Sequence, residues 1–384
     1  MYKKKNKEIS EGRQALAASL GHFSIEINGN IIPPLIPIFS TTLGITYALA
    51  GLLIGAYNLL STLLQPFFGL LTDKKPEIPL APMGVILSSL TVSFIGLMDN
   101  YSLLVLLSSI AGLGSAMFHP HATSSISFNK SKRRVTALGF FSSLGSIGVA
   151  LGPLIMVYLY KLFGLKGTLL LASLSLLSIF MIKNWRRIEL KNNFLSFRHL
   201  LILVRGRVDK LFPIISLDVI RALLFISLVS FLPSYGVYLG MKIDSASTLL
   251  FVMLISGGVG NLVGGNLADK FGRKVTLILS FSLTFPLLYV FINSNSIILW
   301  IYAALIGFFL LSSLPITIVM GHEILPEHKG FASSLNQGLA WAFASFTLPF
   351  IGLSIDIFGF FFTYQLLAFT PLISIIIILI FRLG

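Results

Sequence analysis

Apolar residues run almost without interruption along this chain, in blocks separated by short polar joints. The blocks fall at about 15–40, 47–72, 79–98, 101–128, 135–160, 166–183, 212–239, 246–268, 274–293, 297–321, 331–355 and 359–381. A helix needs ~20 apolar residues to cross ~30 Å of hydrocarbon. Lipid offers no partner to a backbone group, so each segment must pair its own. The pattern therefore predicts an all-α membrane protein with twelve transmembrane helices, about 32 residues for each helix and its joint. A β-barrel would alternate apolar and polar positions in short segments, and these blocks are continuous. The start, MYKKKNKEISEGR, is a basic hydrophilic tail, and the first block is too long for a signal-peptide core.

One long polar stretch lies inside the chain, at 184–211, and it divides the blocks six and six. The predicted organisation is a bundle over 1–183, a basic linker over 184–211, and a second bundle over 212–384. Internal similarity supports this. Gly69-Leu70-Leu71-Thr72-Asp73-Lys74 after the second block matches Gly265-Asn266-Leu267-Ala268-Asp269-Lys270 after the eighth. Gly139-Phe140-Phe141-Ser142-Ser143-Leu144 matches Gly330-Phe331-Ala332-Ser333-Ser334-Leu335. Two six-helix repeats imply a cavity between them that opens alternately to either side, so transport leads the functional readings.

Composition agrees. Of 384 residues, 55% are hydrophobic and 11% charged, against roughly 25% charged in an average soluble domain. Soluble enzymes, nucleic-acid-binding domains and secreted globules are excluded as first readings. With no cysteine, disulfides, zinc-thiolate sites and Cys nucleophiles are excluded too. The formal charge of +14 needs no nucleic acid. With the N-terminus in the cytoplasm, 24 of the 28 Lys and Arg fall on the inner side: the N-terminal tail, Lys74–Lys75, Lys130–Arg134, the linker, Lys270–Lys274, Lys329 and Arg382. That is a positive-inside pattern with both termini cytoplasmic, in a cell membrane.

The few ionisable groups within the blocks are functional candidates, because burying them in lipid is costly. His22, Glu26 and Asn30 recur every four residues on one helix face. Glu26 lies ~20 Å of helix past Arg13, near the bilayer midplane, where a carboxylate is suited to exchange a proton with His22 as relay. Asp218 and Arg221, three apart in block seven, can pair or release Arg221 for an anionic group. His119 and His121 lie about 200° apart on an ideal helix. They are not read as a zinc site, since no third His or carboxylate is spaced to join them. No metal or other cofactor is expected. Asn336, Gln337 and Trp341 are candidate pocket residues. The plainer alternatives are a neutral Glu26 bonded inside the bundle and a structural Asp218–Arg221 pair.

Gly265, Asp269, Gly272 and Arg273 stand on a short loop, where Asp269 can cap a neighbouring helix or pair with Arg273. The segment resembles the loop motif of the major facilitator superfamily, and Gly69 and Asp73 belong to a degraded first copy. Gly148, Gly152 and Pro153 resemble that superfamily's antiporter-associated motif. They also suit close helix packing with a bend. Several pieces in order resemble one family within it, the fosmidomycin resistance proteins: His22 with an acid at 26, Tyr57 through Leu64-Gln65-Pro66, Thr72-Asp73-Lys74-Lys75-Pro76, Phe118-His119-Pro120, Gly152-Pro153, and His322-Glu323-Ile324-Leu325-Pro326. The family's first acid is commonly Asp, and here it is Glu26; His121 and Ser124 stand where the family often has Glu and Arg.

The resemblance implies a monomeric major-facilitator efflux transporter driven by proton entry, exporting a small toxic compound. Glu26, His22, His119 and Asp218 would carry protons. Arg221, Asn30, Tyr57, Gln65, His119, Asn336, Gln337 and Trp341 would meet substrate, with the glycine and loop motifs gating. An uptake symporter or facilitator is the alternative. A membrane-embedded lipid-modifying enzyme is remote, for want of an interfacial catalytic cluster. A phosphate-binding G-x-x-x-x-G-K-[ST] is absent, so an ion gradient would supply the energy.

Overall fold

A computed structural model describes residues 2–75, 77–127, 134–184, 204–294, 298–326 and 329–383. Pro76, Lys130–Arg133 and most of the basic linker lie outside the described residues, as do the side chains of the N-terminal tail, Asp73, Gly330, Ser333 and Ser334. Among the described residues every regular element is helical. Among those residues nine segments are long and apolar enough to cross a membrane. Two of these, Ala137–Lys183 and Leu335–Ile380, run for 47 and 46 residues, each more than twice what one crossing needs. Large apolar side chains such as Leu262, Ile380 and Phe350 stand on the outside of the helices, as lipid-facing residues do.

Proline sets several breaks inside the expected blocks. The first block divides into α1 (Tyr2–Gly29) and α2 (Ile32–Leu43), with proline in the first turn of α2, where a missing N–H costs nothing. The second divides at Leu64 into α3 (Tyr47–Leu63) and α4 (Gln65–Lys74), with Pro66 opening the new helix. Next come α5 (Leu80–Ser93), α6 (Tyr101–Ser127) and α7 (Arg134–Phe163). Gly164, at φ +60°, turns the chain into a tight 3-10 stretch, Gly164–Leu176, which leads into α8 (Leu177–Asn184). Thr168 pins that stretch: its hydroxyl donates to Ser93 O at 2.8 Å and accepts from Gly96 N–H at 3.2 Å.

The second half holds α9 (Val208–Tyr238), α10 (Ile243–Phe271), α11 (Arg273–Ile292), α12 (Ile298–Ser312) and α13 (Leu314–Ile324). Pro315 divides the last two. After them α14 (Lys329–Ala368) and α15 (Thr370–Ile380) complete the chain. Within α14 the backbone leaves helix at Gly359, φ +79° and ψ 169°, so this element is two helices across a joint.

The chain forms two compact units. The first is Met1–Ile45 with Leu52–Lys191, and the second is Thr46–Gly51 with Asn192–Gly384. In the first, α1 is central and packs on α5, α6, α7 and α8 around Ile25, Phe118, Phe141 and Met181. In the second, α9 is central and packs on α10, α13, α14 and α15, with Leu217, Phe281 and Ile316 in the core. In that unit the Asp356 carboxylate accepts the backbone N–H groups of Tyr47 and Ala48, both at 2.8 Å, and caps the start of α3.

Candidate functional site

In the first unit the face of α1 that carries His22 and Glu26 turns toward α6 and α7. Their four-residue spacing places His22 Nε2 3.3 Å from Glu26 Oε1. His119 of α6 brings its Nε2 to 3.6 Å from the same oxygen. The three side chains are 13%, 23% and 22% exposed. One carboxylate oxygen thus stands between two imidazoles, and ligand atoms of all three residues lie within 4.8 Å of one another.

The surroundings fix these groups. His22 stacks on Phe141 at a centroid distance of 4.1 Å, and its Nδ1 lies 2.9 Å from Phe141 O, where it donates a proton. His119 meets His22 edge-on at 5.2 Å. The helix continues through Pro120, and the Thr123 hydroxyl donates to the His119 carbonyl. His121 points elsewhere: it is fully buried and its Nδ1 accepts the N–H of Ala81, in the first turn of α5.

Glycines bring the backbone of α7 against this face. A Cβ on Gly148 would lie 2.6 Å from Phe23 O and 3.0 Å from Glu26 Cβ. On Gly152 it would lie 3.0 Å from Ile27 O and 3.1 Å from Asn30 Cβ. Gly145 faces the His22 ring directly. The glycine motif and the ionisable face, two separate features of the sequence, are thus one interface, with Pro153 buried just beyond it. Asn30 donates to Glu26 O at 2.8 Å and closes the last turn of α1. Tyr57 is buried, with its hydroxyl donating to Ile25 O at 3.4 Å. Gln65 sits half-buried at the start of α4, beyond the break at Leu64.

The second unit holds a different polar centre. Arg221 Nη1 lies 2.6 Å from Asp218 Oδ1, and the two side chains are 3% and 0% exposed. Thr317 of α13 donates to Asp218 Oδ1 at 2.6 Å and accepts from Arg221 Nη1 at 3.1 Å. From α14, Gln337 Oε1 accepts from Arg221 Nη2 at 3.4 Å, and Asn336 donates to Thr317 O at 3.4 Å. Trp341 packs edge-on against Phe225 at 5.8 Å. Thr317 joins this centre without standing out in the sequence. Its only signal is a hydroxyl two residues past Pro315 in an apolar run.

Asp269 ends α10, and Gly272, at φ +90°, breaks the helix before Arg273 begins α11. The two residues therefore do not share a helix face. Arg273 instead grips Glu323, at the end of α13, with both guanidinium nitrogens, at 2.5 and 2.6 Å. Asp269 is exposed, and a Cβ on Gly265 would lie 4.0 Å from Pro315. In the first copy Gly69 approaches Pro120, while the side chain of Asp73 lies outside the described residues.

Apolar helices of membrane-spanning length, arranged in two units that each hold an ionisable cluster, mark a helical membrane protein. Comparison with known proteins gives its family. The model of the Major Facilitator Superfamily matches residues 18–257 and 214–384, and the chain belongs to that superfamily. It is a multi-pass cell-membrane protein acting on small molecules. It is 26% identical over 378 residues to the fosmidomycin resistance protein of Escherichia coli (strain K12), covering 94% of this chain and 91% of the other. It is 27% identical over 368 residues to the MFS-type transporter YfnC of Bacillus subtilis (strain 168), covering 91% and 88%. The nucleoside transporter NupG has a similar solved structure, with TM-score 0.75, 15% identity, and 97% and 99% coverage.

Proposed function

We propose that the chain exports small toxic compounds in exchange for protons, by alternating access of two six-helix bundles. The observation that carries this reading is the Glu26 carboxylate, held within an apolar bundle between two imidazoles and accessible to about a quarter of its surface. A carboxylate without a fixed cation is suited to take up and release a proton, and a neighbouring imidazole is suited to hand it on. His22 and His119 fill that relay role, and Asp218 is the second proton candidate. The antiporter-type glycines pack on the same face, which favours exchange. The resistance-protein relative supports export of a toxic compound.

The reading includes twelve crossings with both termini in the cytoplasm and a basic linker over 184–211 between the bundles. The two double-length segments supply two crossings each, and α1 with α2 supplies the first. Arg221, Asn336, Gln337 and Trp341 in the second bundle, with Asn30, Tyr57, Gln65 and His119 in the first, meet the substrate. The Asp269 loop and the Arg273–Glu323 pair gate the cytoplasmic side, and the chain works as a monomer.

The test is a substrate panel in proteoliposomes with an imposed pH gradient. Wild type moves at least one toxic compound outward as protons move in, and Glu26→Gln stays folded while gradient-driven movement falls to background. Unchanged coupled transport in that variant removes the proton role. Accumulation with the proton flux, rather than against it, makes the chain an uptake symporter.

A further inference from the structure

We propose that His22 Nε2, His119 Nε2 and Glu26 Oε1 form a binding site for a divalent transition-metal cation of the Zn2+, Co2+ or Ni2+ kind. Ligand atoms ~2.0–2.1 Å from one tetrahedral cation stand about 3.3–3.4 Å apart. The two imidazole nitrogens lie 3.3 and 3.6 Å from the shared carboxylate oxygen. Small side-chain adjustments bring all three onto one ion.

Tautomer chemistry points the same way. His22 Nδ1 faces a carbonyl, Phe141 O, at 2.9 Å and must carry a proton there. In the neutral ring, Nε2 is then a bare lone pair aimed at a carboxylate oxygen 3.3 Å away. Two acceptors in that position repel, and a cation between them turns repulsion into coordination. An Nδ1–H donated to a backbone carbonyl is also the outer support that metal-bound histidines use to fix ring orientation and raise basicity.

The site is held on rigid elements. His22 and Glu26 share one face of α1, His119 comes from α6, and the backbone of α7 at Gly145 and Gly148 is pressed against that face. Phe118 and Phe141 flank the His22 ring and give the ligands an apolar shell. Three protein ligands leave the fourth position open, as in exchangeable zinc sites. Two nitrogens with one oxygen select borderline cations over Mg2+ and Ca2+, which need oxygen-rich shells. The sequence hides the site because the third ligand lies 93 residues beyond Glu26. On the exporter reading a bound ion competes for Glu26 and inhibits transport; the binding itself needs only the geometry.

The experiment titrates the purified full chain, carrying a tag without histidines, with CoCl2 alone and reads visible absorption. We expect one Co2+ per chain with a Kd below about 100 μM, displaced by Zn2+ and unaffected by Mg2+. His119→Gln and His22→Gln each weaken binding at least ~10-fold, the scale on which losing support of a ligand is felt. His322→Gln leaves binding unchanged. Variants count only if they elute as a single species and melt within a few degrees of wild type; if none does, the wild-type titration decides alone. Absence of a Co2+ band in wild type, or unchanged affinity in folded His119→Gln, overturns the site. If wild type binds no Co2+ but Glu26→Gln loses coupled transport, the metal site falls and the exporter stands. If Co2+ binds but Glu26→Gln transports normally, the reverse holds.

Discussion

The two buried polar centres use similar residues to opposite ends. In the second unit Asp218 has its counter-charge built in: Arg221 lies one helical turn away, Thr317 bridges the two, and water is shut out. In the first unit, among the described residues, Glu26 has no guanidinium or ammonium beside it but two imidazoles whose charge depends on protons, and part of its surface is open. A centre that carries its own cation is balanced in charge and costly to open, even with Asp218 Oδ2 left without a hydrogen-bond partner among the described residues. A centre that lacks one must borrow it, and this makes it fit for exchange. On the proposed reading, Glu26 in the first unit is the leading ion-coupling group and Asp218 the second. Arg221, gripped by Asp218, Thr317 and Gln337, meets an anionic ligand only if that pair opens.

Stability separates the centres most sharply. Asp218→Ala leaves a buried, unpaired guanidinium and costs about 3–5 kcal/mol, read as a large fall in melting temperature and yield. Glu26→Gln removes a charge that has no fixed partner, so its melting temperature stays near wild type while coupled transport is lost. Equal destabilisation by the two would erase the distinction.

Next in size is the glycine contact. Gly148→Leu forces a side chain into Phe23 O and Glu26, and overpacking of this kind costs about 1–3 kcal/mol. It should also abolish transport, whereas Gly258→Leu, with open space around the position, should leave both melting and transport unchanged. The smallest effect belongs to the Arg273–Glu323 pair, whose side chains are 36% and 56% exposed. Glu323→Gln should change stability by less than about 1 kcal/mol but slow turnover in a vesicle assay. Asp269→Asn should slow it less, since Arg273 closes on Glu323 of α13 and feels Asp269 only as a nearby charge. A larger effect at Asp269 would restore the simpler loop latch.

Much of the fold was legible because lipid imposes a blunt rule: long apolar runs become helices. Joints inside those runs were less so. Pro66 and Pro315 are visible in the sequence, yet each sits in a stretch apolar enough to read as one helix; the chain breaks there because proline suits a first turn better than an interior. At the site, His22 and Glu26 were legible from spacing on one helix. His119 was nominated alone, and its approach to Glu26 comes from how α6 packs on α1. Arg273 feels the Asp269 charge but closes on Glu323, because a four-residue spacing brings contact only in continuous helix, and Gly272 interrupts it. Glu323 stands within a family motif, yet nothing local links it to a residue 50 positions earlier.

The seam between α1 and α7 has a mechanical consequence. Side chains that interlock can be re-dealt by rotamer changes, so helices joined through them can slide. Gly148 and Gly152 instead bring main chain against main chain, where no torsion is free to yield. The pair therefore behaves as one strut, with Glu26 mounted on it like a fitting on a beam. Whatever motion carries that carboxylate must carry α7 too.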